Sequence, residues 1–170
     1  MRRLPRLLLL LTLGALALLV AAPAGATADR DDRSSKEWGV FRTLPAGTEM
    51  GLRIKGFAVI TRSSQGTNVY ALAWGLDPRT TYPAHLHNAP CSASPPGGGH
   101  YMNVPGALAE PPNELWLSST ADPKAGMTTN ALGIAFGRGS ADWVARPEAQ
   151  AVVIHAPTEG APRLACADLR

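Results

Sequence analysis

A chain of 170 residues that is 45% hydrophobic carries enough apolar material for one domain with a real core. Its formal charge of +3 is gathered at one end, because three of the 16 basic residues fall within the first six positions and the other 13 face 13 acidic ones. That balance, with no Lys/Arg cluster interleaved with aromatics, argues against nucleic acid as a partner.

The first element in chain order is a leader. Arg2, Arg3 and Arg6 precede an apolar run over 7–22, and Ala26-Thr27-Ala28 offers small residues for cleavage, so residues 1–28 are expected to be a secretory signal peptide. The run falls short of the ~20 residues a spanning helix needs. Export to an oxidising compartment predicts that Cys91 and Cys166 are paired, closing a long loop. The mature protein is expected to be secreted or extracytoplasmic and free of the membrane.

Residues 29–37 are polar and mixed in charge and are expected to be mobile, ahead of a domain over 38–170. Strands are predicted over 38–44 and, after Pro45-Ala46-Gly47, along the alternating Met50, Leu52 and Ile54, continuing through 57–61. Turns at 63–66 and 75–78 frame strands over 68–74 and 81–87. The Pro-, Gly- and Ser-rich stretch 88–112 reads as a long ordered loop. Further strands are predicted over 115–120, 127–136, near Trp143, over 150–155 and over 163–169. With no helical period anywhere, the fold class is all-β: an antiparallel sandwich or barrel of about eight short strands.

Chemistry concentrates between Tyr82 and His100. Alternate residues of a strand share a face, which sets His85 and His87 side by side at about 6.6 Å, a spacing from which two imidazoles can converge on one metal. Gly97, Gly98 and Gly99 allow the chain to fold back and bring His100 to the same point. The fourth histidine, His155, ends the apolar run 151–154.

These residues, with Gly75-Leu76-Asp77-Pro78 ahead of the histidine pair and Arg163-Leu164-Ala165-Cys166 near the end, occur in the order seen in copper/zinc superoxide dismutases. The chain resembles that family most closely over 75–166, and the resemblance implies its Greek-key β-barrel. It also implies that His85, His87, His100 and His155 hold one copper, that Arg163 guides superoxide, and that Cys91–Cys166 is the intrasubunit bridge. The departures are informative. Four histidines are all the chain has, and copper claims each of them. Between His100 and Leu115 only Glu110 and Glu114 ionise, whereas zinc needs about four ligands, usually imidazole or thiolate among them. The pattern is similar to the copper-only branch, with no zinc expected and with Glu114, or failing that Glu110, holding the second ring nitrogen of His100.

Neutral imidazoles in an oxidising setting also suit Cu(II) on the general affinity order. The function expected is an exported copper-dependent superoxide dismutase. One alternative is a copper-binding protein that stores or senses the metal without turnover; another is a disulfide-stapled interaction module. A phosphate loop at Gly97–Gly99 is excluded, since no Gly-Lys-Ser/Thr and no helix follow. A cupin-like His-x-His site would want a glutamate where Pro90 and Cys91 stand.

Overall fold

The computed structural model describes residues 34–170, so the leader expected over 1–28 lies outside the described residues. Ten strands, one short helix and one 3-10 turn follow in order. β1 (Ser35–Val40), β3 (Lys55–Ser63), β4 (Gly66–Trp74) and β8 (Ala135–Ala141) form one antiparallel sheet in the order β1-β3-β4-β8. A second sheet runs β2 (Arg42–Thr43), β10 (Arg163–Asp168), β9 (Ala151–His155), β6 (Ala84–His87). The two-stranded ribbon of β5 (Thr81–Tyr82) and β7 (Met127–Thr128) completes the fold. The domain is all-β, and its sheets are not closed into one continuous ladder.

Alternation explains the layering. Along β3 and β4 every second residue is buried, among them Ala58, Ile60, Val69, Ala71 and Ala73, while the intervening side chains face outward. On the second sheet Ala84, Leu86, Val152, Ile154, Leu164, Ala165 and Ala167 face the same core. Burying one Ile, Leu or Val side chain here is worth about 1.5–3 kcal/mol. Val153, Ala151 and Cys166 face the other way and form a smaller apolar cluster with Leu44 and Cys91. The outer face of the second sheet is therefore covered as well, by the loop that carries Cys91.

Several expectations fail for identifiable reasons. Residues 35–37, expected to be mobile, pair with β3, and Glu37 is tied at 2.7 Å to the buried Arg62. Pro45 opens a five-residue helix, α1 (Pro45–Glu49), instead of a turn. The Met50, Leu52, Ile54 alternation is not a strand: Leu52 N–H caps back onto Gly47 and Arg53 N–H bonds Gly75, so Leu52 and Ile54 are buried without a ladder while Met50 stays exposed. The strand expected over 127–136 is broken because the Asn130 carboxamide accepts from both Leu132 and Ile134 N–H, and Gly133 takes a φ of 71°, which together make a tight turn. Residues 115–118 form isolated bridges only, to His85 on one side and Arg138 on the other, because they cross the gap between the two sheet edges. Trp143 is held through the Thr67 hydroxyl, and not by strand pairing. Among the described residues no helix is long and apolar enough to cross a membrane.

Candidate metal centre

β6 puts Ala84 and Leu86 into the core and turns His85 and His87 to the outer side of the second sheet, under the 88–112 loop. That loop runs back antiparallel to β6. Asn88 and Ala89 N–H bond the Gly99 and Gly97 carbonyls, and Tyr101 N–H bonds Leu86, so His100 pairs opposite His87. The approach demands glycine: a Cβ on Gly97 would lie 2.8 Å from Val153 Cγ2 and 3.2 Å from His87 Cβ, at a φ of 82° that other residues rarely adopt. His155 enters from the end of β9, two positions beyond the Val153 that pairs with His85.

The structure thus brings His85, His87 and His100 together, with one ring nitrogen of each within 4.8 Å of the others, close enough to hold a metal ion. His155 stands beside them. Its Nε2 is 3.2 Å from Nε2 of His87, and its ring centroid lies 4.7 Å from that of His85 but 6.3 Å from that of His100. Two ligands on one metal with bonds of ~2.0 Å are themselves separated by about 3 Å, so the His87–His155 spacing is that of neighbouring donors.

Tautomers follow from the partners. Nδ1 of His155 donates to the Ala161 carbonyl at 2.8 Å, and Nδ1 of His100 meets Glu114 Oε1 at 2.6 Å, which leaves Nε2 of each ring as a lone pair aimed inward. Nδ1 of His85 is buried with no hydrogen-bond partner, and so is Nδ1 of His87. An orphaned buried ring nitrogen is costly unless something binds there, and Nδ1 of His85 is open to do so, whereas His87 faces the cluster through Nε2. The donor set fits a metal.

Burial, reinforced by the charges of His100, His87 and His155, pushes the His85 imidazole down to about 2. Burial, then His155, His100 and Arg163, holds His87 at about 3. His155 is lowered too, by burial first, with the Ala161 carbonyl opposing. All three are neutral at physiological pH, the state in which imidazole ligates.

Behind His100 the Glu114 side chain is 1% exposed and accepts twice, from His100 at one oxygen and from the Trp116 indole N–H at the other, 2.6 Å each. Glu110, the other acid considered, turns away and pairs at 2.7 Å with Lys124 on the surface. Trp116 also packs over His85, with ring centroids 5.2 Å apart; nothing in its spacing singled it out in the sequence. Replacing Glu114 with Ala strands both donors, and loss of such a partner costs about 10–100-fold in metal affinity or activity. We expect Glu114→Ala to weaken metal binding within that range, read by competition with a chelator beside the wild type; unchanged affinity in the variant would contradict this.

Arg163 sits on β10 directly across from His155 and donates from Nη1 to the Pro96 carbonyl at 2.8 Å. It is partly exposed, with one arm of the guanidinium fixed to the loop over the histidines. Cys91 and Cys166 are bonded, tying that loop to β10, and Cys91 N–H also donates to Asp168 at 2.6 Å. The disulfide points to an oxidising, extracytoplasmic setting.

No family model matches the chain, and no curated protein matches it.

Proposed function

We propose that the chain is an exported, copper-dependent superoxide dismutase of the zinc-less kind, in which His85, His87, His100 and His155 hold a single copper. The observation that carries the reading is the convergence of four imidazoles, three of them neutralised by burial, beside an arginine anchored at the rim. Copper bound there would supply one-electron chemistry, taking one superoxide to oxygen and a second, with two protons, to hydrogen peroxide. The protein's own groups do the rest. Arg163, always charged and fork-shaped, draws the anion in and orients it. Glu114 keeps the His100 proton on Nδ1 and the ring aimed at the metal.

Zinc is not part of the proposal. The Glu114 carboxylate is occupied by His100 and Trp116, Glu110 by Lys124, and no fifth histidine exists. A Greek-key barrel is supported by hydrogen bonds at both seams between the sheets: Trp38 and Arg170 exchange N–H···O bonds at one, Ser118 and Arg138 at the other.

The purified protein should contain one copper per chain and no stoichiometric zinc by elemental analysis, and the copper form should consume superoxide. One zinc per copper would refute the zinc-less assignment, and copper without turnover would leave a storage or sensing protein. Arg163→Ala should lower kcat/KM about tenfold, the low end of electrostatic steering, with copper content unchanged. An unaltered rate in that variant makes the arginine purely structural.

A further inference from the structure

On the side of the sandwich away from the histidines, the outward positions of the β1-β3-β4-β8 sheet are apolar to an unusual degree. Cross-strand register places Val40, Phe57, Leu72 and Phe136 in one unbroken row across all four strands. Trp38, Val59, Tyr70 and Arg138 form the adjacent row, and Trp74 sits beside Lys55 on the other side. Exposure is high for a face of this kind: Trp38 59%, Phe136 52%, Val40 50%, Trp74 43%, Phe57 and Tyr70 41% each. With aromatics of 150–250 Å² apiece, these five and Val40 leave roughly 500 Å² of largely apolar surface in water, within the roughly 300–600 Å² of the largest patch on a typical lone protein, a patch that is often functional. A patch of that size and composition marks a candidate binding face.

Charge decides what it binds. The outward positions of the four strands carry three cations, Lys36, Lys55 and Arg138, and no carboxylate; Asp142 comes only after β8 has ended, past the polar row of Asn68 and Ser140. None of the three cations forms an ion pair among the described residues. A second copy of the chain would have to bring three cations against three cations, and like charges facing each other across an interface cost several kcal/mol. An anionic lipid surface matches both features at once, since Trp and Tyr settle at headgroup depth and basic side chains are drawn to negative headgroups. We infer that this sheet face docks the exported protein on an anionic membrane surface, lying flat with Trp38, Phe57, Tyr70, Trp74 and Phe136 at the headgroup boundary. The sequence reading expected a protein free of the membrane; a whole face, which only strand register reveals, argues otherwise. The histidines lie on the outer side of the opposite sheet, and only the Tyr70–Arg138 end of this face borders a groove shared with Glu114 and Trp116; the inference holds whatever metal that site takes.

The test uses the chain recovered after export from an expressing cell, with vesicles of 30% phosphatidylglycerol in phosphatidylcholine and with pure phosphatidylcholine. Co-sedimentation should be at least tenfold stronger on the anionic vesicles and should weaken with salt. Lys36→Ala and Lys55→Ala should each lower the partition coefficient about fivefold. Trp38→Ser with Trp74→Ser, exposed positions at which folding is not at stake, should lower it more than tenfold with the same circular dichroism and metal content. Brominated lipid should quench the wild-type tryptophans, and Trp38→Phe with Trp74→Phe should remove most of that quenching while binding persists. No binding to anionic vesicles, or equal binding by the serine variant, overturns the proposal. A dimer in lipid-free sedimentation velocity that the serine variant converts to monomer also overturns it, assigning the face to a second copy.

Discussion

The metal-free protein should lose about 5 kcal/mol of stability between pH 6.5 and pH 4.5. In the unfolded chain His85 and His87 take up protons at their ordinary value near 6.5, whereas the fold holds them near 2 and 3. Above pH 6.5 both are neutral in both states, and their titration leaves stability untouched. Below it the unfolded state binds protons that the folded state refuses, so each unit of fall costs about 1.4 kcal/mol per histidine until the folded values are reached. Two histidines over two units give the figure, and His155, lowered in the same direction, adds to it. Against the 5–15 kcal/mol of an ordinary domain, this is enough to unfold much of the apo protein in mild acid. A metal ion held by the histidines, binding the folded state more tightly than the unfolded chain, should restore part of what acid removes. Urea unfolding of the chelator-treated chain at pH 7.5 and 4.5 reads the difference directly, and His85→Gln should flatten it. Equal midpoints in the wild type at the two pH values would mean that the imidazoles are not held neutral by burial.

Removing the disulfide should cost nearly as much. The bridge closes a loop with a sequence separation of 75, and loop-closure entropy for that length corresponds to about 4.5 kcal/mol at 25 °C. The bridge also acts locally. Cys91 begins the segment whose return leg carries Gly97, Gly98 and His100, and Cys166 lies on β10 three residues from Arg163. Cys91→Ala with Cys166→Ala should therefore lower the unfolding free energy by about that amount, speed amide exchange from 88 to 100, and weaken metal binding at the histidines, while alkylation of the denatured, unreduced wild type should find no free thiol. Unchanged exchange in the loop would show that the glycine-mediated pairing with β6 suffices without the covalent tie.

Much of this protein could be read from its residues, because the signals were local. Alternation over 57–61 and 68–74, and the apolar run at 151–154, forced extended chain, and the absence of any 3.6-residue period excluded helices of more than a turn or so; the single strand expected over 81–87 is instead divided at Pro83 into β5 and β6, which belong to different sheets. The pairing of the two cysteines followed from their number and compartment. The failures came where a side chain redirected the backbone: the Asn130 carboxamide broke an apolar run that reads as continuous, and the α1 cap drew Leu52 out of an apparently alternating strand.

Of the two acids near His100, position in the resemblance favoured Glu114 and kept Glu110 as the second choice. Tertiary structure assigned Glu114 to the imidazole because Trp116 holds its other oxygen, and sent Glu110 to Lys124 on the surface. Likewise, the sequence determined that β1, β3, β4 and β8 have two faces, but not that their outward aromatics align into one cationic, apolar plane. Alternation is a property of a single strand, written along the chain, whereas register and partner belong to pairs of strands far apart in sequence and exist only once the sheet has formed.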